Sequence, residues 1–188
     1  MKVRMNVMSK KKKAELETKE ELLYRVCQDF PEEGVKFIDL TPSIIDVNSR
    51  MCVLSNMVNH IENEVQNVDI IISPDARGFL WGMGVASLMN CSLIPIRKSG
   101  KLPETCILDT VTYDTEYSST SLDLPISDLE GKRVMFVDDV YATGGTYNAC
   151  KTLVENAGGT MVGATVIYNV GLSEEQDAEV YSIYRGEL

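Results

Sequence analysis

The segment Val134-Met-Phe-Val-Asp-Asp-Val-Tyr-Ala-Thr-Gly-Gly-Thr146 carries the pattern from which we predict the fold. It begins with the continuously apolar run Val134 to Val137, which is typical of a buried β-strand. Asp138 and Asp139 end this run, and the small residues Ala142 to Thr146 lead into a segment with helical spacing of apolar residues. A buried strand followed at once by a helix is the repeating unit of a parallel sheet that helices cover on both faces.

The same pattern continues on both sides of this segment. Short apolar runs predict further strands at Val68 to Ile72, Leu93 to Ile96 and Met161 to Tyr168. Helical spacing predicts a helix over Gly78 to Met89. We therefore predict an α/β fold with a central, mostly parallel sheet flanked by helices. In such sheets, ligands bind beyond the carboxyl ends of the strands.

From the remaining segments we predict two further helices, a loop and an N-terminal tail. Apolar residues at helical spacing predict helices over Leu16 to Phe30 and Ser49 to Val65. Thr110 to Thr120 is polar and lacks helical periodicity, which predicts a mobile loop. Residues 1–15 contain a basic cluster but not the apolar stretch of a secretory signal, so we predict a disordered tail. Residues 16–188 are then predicted to form a single domain.

Composition restricts the class of ligand and the cellular compartment. The chain of 188 residues has 28 acidic and 18 basic side chains and a net charge of −10, which argues against binding to nucleic acid. No apolar run approaches the roughly 20 residues that span a bilayer, so we predict no membrane partner. The 5 cysteines are widely spread and never form a Cys-x-x-Cys pair, which suits the reducing cytoplasm better than a disulfide framework or a zinc site. The only histidine, His60, lies in a predicted helix and is not predicted to be catalytic.

A phosphate-binding turn is predicted at Ala142, Thr143, Gly144, Gly145 and Thr146. Small side chains let backbone N–H groups close around a phosphate, and the two threonines add hydroxyl donors. The helix that follows contributes the partial positive charge of its N-terminus. The turn is neither a Walker loop nor a dinucleotide fingerprint, because the lysine of the first and the G-x-G-x-x-G of the second are missing.

The adjacent carboxylates of Asp138 and Asp139 further restrict the class of ligand that the turn could bind. Beside a phosphate they would repel it, unless they bind groups that donate hydrogen bonds or carry positive charge. A ribose with free 2′ and 3′ hydroxyls, together with Mg²⁺, meets that requirement. The segment therefore predicts a ribose 5-phosphate site. The other interpretation is a glycine-rich turn with two solvated aspartates.

This segment resembles the phosphoribosyl pyrophosphate (PRPP) binding motif of the type I phosphoribosyltransferases, and further segments are similar to the adenine phosphoribosyltransferase family. Phe30-Pro-Glu-Glu-Gly-Val-Lys-Phe-Ile-Asp-Leu-Thr-Pro42 is similar to that family's base-side segment, and Asp75-Ala-Arg-Gly-Phe79 to its pyrophosphate loop. Ile96-Arg-Lys-Ser-Gly-Lys-Leu-Pro103 resembles its connection to a small hood, and Glu116-Tyr117 the tip of the hood's flexible loop. The resemblance runs from about Leu22 to Val170 and implies the type I phosphoribosyltransferase fold.

The resemblance also implies roles for individual residues. Arg77 follows a predicted strand, where its planar guanidinium fork can bind phosphate oxygens. It would act in catalysis together with Glu116, which in the family lies over the reaction centre and assists the base. The implied pyrophosphate ligands are Asp75, Ala76, Arg77, Arg97, Lys98 and Lys101. A solvated basic face is the other interpretation of the last three.

The base-binding positions implied by the resemblance are Val35, Lys36, Phe37 and Ile38. Phe37 offers an aromatic face on which a purine can stack. In the family the base is read largely by backbone groups near Lys36 and Ile38. Ile38 departs from the pattern, since most members have a basic residue there, and this leaves the identity of the base open.

The activity implied by the resemblance is purine salvage, in which adenine and PRPP give AMP and pyrophosphate. It implies Mg²⁺ bound with PRPP, with Asp138 and Asp139 as possible contacts, and a homodimer. A guanine or hypoxanthine phosphoribosyltransferase is the alternative within the same enzyme class. A PRPP-binding regulator of transcription is the alternative outside it, although the N-terminal tail is too short for a helix-turn-helix.

Overall fold

The protein is represented by a computed structural model that describes residues 17–19, 22–30, 32–114, 119–170 and 179–186. The chain divides into two compact units, the first ending at Arg50 and the second beginning at Met51. The disordered tail over residues 1–15 lies outside the described residues and stays a prediction, as does the single domain over residues 16–188. Within the part of the chain that is described, no helix is long and apolar enough to cross a membrane.

The first unit contains a small antiparallel sheet of strand order β1-β2-β3, followed by helix. Its elements are β1 (Glu17–Lys19), β2 (Leu22–Gln28), β3 (Lys36–Asp39), α1 (Thr41–Ile45) and the beginning of α2 (Val47–His60). The Ser43 and Ser49 hydroxyls both bond the Leu23 amide, at 2.9 and 3.3 Å. This hydroxyl pair fixes β2 against α1 and the beginning of α2.

The predicted helix over Leu16 to Phe30 is wrong for its described residues, because most of them belong to β1 and β2. Only Leu22 of β2 is fully buried, and the five residues after it are half-buried, as in an exposed strand. Pairing of β2 with β3 supplies backbone hydrogen bonds and an ion pair of 3.2 Å between Arg25 and Asp39. Helix propensity is a weak preference that such tertiary pairing readily outweighs.

The second unit is built on a seven-stranded sheet of order β10-β9-β8-β4-β5-β7-β6 among the described residues. Strands β10, β9, β8, β4 and β5 are parallel, whereas β7 and β6 run antiparallel to their neighbours. After α2 and a π-helical turn (Ile61–Val65), its elements are β4 (Ile70–Pro74), α3 (Gly78–Met89), β5 (Ser92–Lys98), a 3-10 turn (Glu104–Cys106), β6 (Ile107–Asp114), β7 (Ser119–Pro125), β8 (Arg133–Tyr141), α4 (Gly145–Asn156), β9 (Thr160–Asn169) and β10 (Val180–Arg185). The predicted fold class, a mostly parallel sheet flanked by helices, is confirmed.

The core of this unit lies between the parallel strands and α4. Every residue of β4 is buried, as expected of a central strand covered on both faces. Helix α4 buries Tyr147, Cys150 and Leu153 in the same cluster as Ile72 of β4 and Phe136 of β8. This packing holds the beginning of α4 against the carboxyl end of β8.

The predicted loop over Thr110 to Thr120 is wrong for its described residues, because they belong to the β6–β7 hairpin. We call the two strands of this hairpin, β6 and β7, the hood. Tyr113 pairs directly with Thr120 across it, and the Thr112 hydroxyl bonds that of Ser121 at 2.7 Å. Pairing between strands stabilises polar, β-branched sequences as strands. A lack of helical periodicity therefore does not distinguish a loop from a paired strand.

Candidate active site

A cavity of about 470 Å³ lies at the carboxyl ends of β4, β5 and β8. These strands are neighbours in the sheet, with Ile72 of β4 level with Phe136 of β8, so the residues that follow them converge at one edge. The residues predicted for the site that line the cavity are Asp75, Ala76, Arg77, Lys98, Asp138, Asp139 and Thr146. The structure thus brings the predicted ribose and pyrophosphate segments together in one place.

The predicted phosphate turn forms a smaller cavity of about 100 Å³, which shares Tyr113, Asp138, Val140 and Thr146 with the larger one. All residues of the turn from Ala142 to Thr146 line it. Gly144 has a positive φ of 82° and stands at the N-cap of α4, where no side chain of the described residues caps the helix. The N–H groups of the first turn of α4 are therefore suited to binding an anion.

The two aspartates of β8 differ in their surroundings. Asp139 is buried, with 3% of its surface exposed, and its carboxylate binds the guanidinium of Arg77, with Nη2 3.5 Å from Oδ1. Asp138 accepts the backbone N–H of Asp139 at 2.8 Å. Burial raises the pKa of the Asp138 carboxyl well above its ordinary value of 3.8, and the neighbouring charge of Asp139 raises it further. The pair thus combines one carboxylate held by an arginine with one carboxyl group of raised pKa.

The predicted pyrophosphate loop follows β4 directly. Its Asp75–Ala76 peptide bond is cis, and the Asp75 amide donates to the carbonyl of Ile96 at 2.9 Å. Arg97 of β5 binds the Asp75 carboxylate at 3.0 Å and lies 5.7 Å from the centre of the Phe79 ring. Arg97 therefore holds the loop, rather than lining the cavity.

The other predicted cations occupy different positions. Lys98 at the end of β5 lines the cavity, whereas Lys101 is exposed and is not among the lining residues. Of the predicted basic cluster, only Lys98 is placed to contact a ligand in the cavity directly.

The predicted base-binding residues lie in the first unit. Val35 precedes β3, and Lys36, Phe37 and Ile38 are its first residues. The Phe37 ring lies 5.2 Å from that of Phe30, and the Ile38 side chain is only 4% exposed. Glu116, the predicted catalytic glutamate, lies outside the described residues.

Sequence reasoning missed the contribution of the hood to the cavity. Tyr113 and Thr120, which are cross-strand partners in the hood, both line it. The Tyr113 hydroxyl lies 2.9 Å from Oγ1 of Thr146 in the phosphate turn. The apolar alternation of Val111 and Tyr113 would have indicated an inward face, had the segment been interpreted as a strand.

The residues at this site suit a metal that arrives with its substrate. Among the described residues no group of three or more His, Cys, Asp or Glu side chains could hold a metal ion. Mg²⁺ commonly keeps several waters and binds one or two carboxylates together with substrate phosphates. The adjacent Asp138 and Asp139 fit that donor set.

Comparison with known proteins gives a consistent result. The family model of the phosphoribosyl transferase domain matches residues 51–185 of this chain. The adenine phosphoribosyltransferase of Corynebacterium jeikeium is 40% identical over 156 residues, covering 81% of this chain and 73% of the relative.

Solved structures agree in fold. The crystal structure of adenine phosphoribosyltransferase from Thermoanaerobacter pseudethanolicus superposes with a TM-score of 0.80 at 33% identity, covering 86% of this chain and 95% of the other. The Saccharomyces cerevisiae adenine phosphoribosyltransferase, solved with adenine and an imino-altritol bisphosphate, superposes with a TM-score of 0.77 at 28% identity, covering 85% and 93%.

Proposed function

The chain belongs to the phosphoribosyltransferase family, among the adenine phosphoribosyltransferases, and on that premise we propose that it transfers the 5-phosphoribosyl group of PRPP to adenine, giving AMP and pyrophosphate. The observation that carries the proposal is the cavity in which Asp138 and Asp139 stand beside the small-residue turn at the beginning of α4. Carboxyl groups that bind a diol, next to helix N–H groups that bind a phosphate, suit a ribose 5-phosphate.

In the proposed reaction, a purine nitrogen forms a bond to C1 of the ribose while the bond from C1 to the pyrophosphate oxygen breaks. The bonding electrons leave with pyrophosphate, and the base loses a proton. Because positive charge develops on the ribose, the protein acts by positioning and by stabilising charge, without a covalent intermediate. The turn from Ala142 to Thr146 would hold the 5-phosphate, and Asp138 and Asp139 the ribose hydroxyls.

The pyrophosphate end would be held by the loop after β4 and by Lys98. Arg77 lines the cavity and has half of its side chain exposed, so it can turn from Asp139 to an incoming phosphate oxygen. Arg97 would keep the Asp75 loop in place from outside the cavity. When bound, Mg²⁺ would neutralise charge on the pyrophosphate, and Asp138 and Asp139 are the residues that would hold it.

Glu116 is proposed to assist the base, as the family resemblance implies. Adenine is the proposed base because the relatives that match at about 40% identity are adenine phosphoribosyltransferases. The departure at Ile38 is compatible with readout by the backbone, since its side chain is buried rather than presented to a ligand. The guanine or hypoxanthine alternative is therefore not favoured.

A homodimer in the cytoplasm is proposed as the working form. Helix α3 is apolar on both sides, with Trp81 and Val85 buried and Leu80, Met83 and Leu88 exposed by 57, 57 and 48%. Exposed apolar residues along one helix are typical of a protein–protein interface. None of the cysteines within the described residues forms a disulfide, in keeping with a reducing compartment.

The experiment that tests the function is a base screen. The purified protein is incubated with PRPP and Mg²⁺ and with adenine, guanine, hypoxanthine or orotate in turn, and nucleotide and pyrophosphate are both quantified. We expect AMP from adenine and little product from the other bases. Turnover with guanine or hypoxanthine instead would favour the alternative enzyme. PRPP binding without turnover of any base would favour a regulator.

A further inference from the structure

We propose that Tyr113 is a positioning residue of the 5-phosphate site, whose hydroxyl holds that of Thr146 in the orientation that donates to the phosphate. The inference rests on the proposed function, because it concerns the phosphate of the same ribose. It adds a hood residue to a site that the sequence assigned only to the turn after β8.

Tyr113 connects the hood to the phosphate turn. The Tyr113 hydroxyl lies 2.9 Å from Thr146 Oγ1, although the two residues are 33 positions apart in the chain. The tyrosine ring lies over Gly145, where an added Cβ would come within 3.1 Å of a ring carbon. The ring also packs against the hydrophobic core. Packing of the ring therefore fixes where the hydroxyl lies.

The direction of this hydrogen bond follows from the donors each partner has. A hydroxyl group donates one hydrogen and accepts through two lone pairs, whereas a phosphate oxygen only accepts. If Thr146 donates to the phosphate, its oxygen is free only to accept from Tyr113. The bound state is then a chain from the Tyr113 hydroxyl to the Thr146 hydroxyl to the phosphate, in which each bond polarises the next.

This arrangement predicts an effect that depends on the phosphate. Without the tyrosine hydroxyl, the Thr146 hydroxyl is free to rotate and must be ordered when the phosphate binds. A ligand that lacks the phosphate makes no use of the Thr146 hydrogen and should be indifferent to the change. A structural defect of the hood would instead weaken both kinds of ligand.

The test compares AMP with adenosine on Tyr113→Phe, which keeps the ring over Gly145 and removes only the hydroxyl. Binding is measured by isothermal titration calorimetry. We expect the Kd for AMP to rise about fivefold, the effect of one ordinary hydrogen bond, and the Kd for adenosine to stay unchanged. The matched control is Thr112→Val on the same strand, which removes a hydroxyl that bonds Ser121 and should alter neither Kd.

A double-mutant cycle with Thr146→Val separates an indirect role from direct contact. If Tyr113 acts through Thr146, Tyr113→Phe has no further effect on AMP binding in the Thr146→Val background. An equal loss in both backgrounds would show that the tyrosine binds phosphate by itself and would overturn the proposal. So would unchanged AMP binding, or equal losses for AMP and adenosine.

The wild-type protein tests the premise separately. It should bind AMP more tightly than adenosine if the turn after β8 binds a phosphate. Equal affinity would refute the ribose 5-phosphate site itself. A wild-type preference for AMP that Tyr113→Phe leaves intact would refute only the role of Tyr113.

Discussion

Asp139→Asn tests whether the ribose and pyrophosphate parts of the site are coupled through Arg77. In the structure the Asp139 carboxylate holds the Arg77 guanidinium, so under the proposed function PRPP would separate them by binding both. The substitution keeps the shape of the side chain and removes its charge. Asp139 is buried at the cavity whereas Arg77 is half-exposed. We therefore expect a large loss of activity with PRPP and a small gain in affinity for pyrophosphate.

The first consequence is a loss of activity with PRPP. A hydrogen bond to a charged group contributes about 1.5–3 kcal/mol, so kcat/KM for PRPP should fall roughly 10- to 150-fold. The second is a gain in affinity for pyrophosphate alone, because Arg77 no longer leaves a carboxylate to bind it. An ion pair with one half-exposed partner contributes about 1 kcal/mol or less, so this gain should be at most about fivefold.

The assay combines steady-state kinetics with varied PRPP and calorimetric titration of pyrophosphate, without Mg²⁺, into the free protein. Asp109→Asn is the matched control, because it removes the same charge from a carboxylate that bonds Asn156 outside the cavity. The control should leave both measurements unchanged. Weaker pyrophosphate binding by Asp139→Asn would refute the coupling, and an unchanged kcat/KM would refute the ribose role.

Two further predictions concern pH and assembly. The raised pKa of Asp138 means that the folded state binds its proton more tightly than the unfolded state, so this group stabilises the fold below its ordinary pKa of 3.8 and loses that contribution as pH rises through the raised value. Asp138→Asn should therefore be more stable than wild type to urea at neutral pH, by a margin that shrinks toward pH 3, and a margin independent of pH would contradict this. Met83→Lys on the exposed face of α3 should convert a dimer to a monomer in sedimentation velocity, whereas Leu108→Lys, at an exposed apolar position of the hood, should not. A Met83→Lys protein that stays dimeric would exclude this face as the interface.

Local sequence patterns were sufficient to predict an element where residues within or next to that element determine its ends. The predicted helix over Gly78 to Met89 has the bounds of α3. Asn90 follows it in the left-handed conformation that terminates helices. The predicted strand beginning at Val134 lies within β8, since a continuous apolar run has few alternatives to burial in a sheet. The turn and the two aspartates could be named as candidates from the chain alone, because they directly follow this predicted strand and their residue types suit a phosphate and a diol.

Patterns failed where pairing with a distant or adjacent strand decides the structure. Residues 22–28 have helical spacing, yet they form β2 because β3 offers them backbone partners. Strand β10 was not predicted, and it exists through parallel pairing with β9. Neither partner can be identified from periodicity within the segment itself, because the competing conformations differ little in local energy.

The chemistry of the site divides in the same way. Residue types within one short segment were enough to predict a ligand class, because a phosphate and a diol each require particular donors and acceptors nearby. Which side chains meet was decided by the order of the strands: β4 beside β8 brings Arg77 to Asp139 across 62 residues. The hood likewise brings Tyr113 to Thr146. Such contacts depend on the packing of the whole sheet, and no local pattern in the chain encodes them.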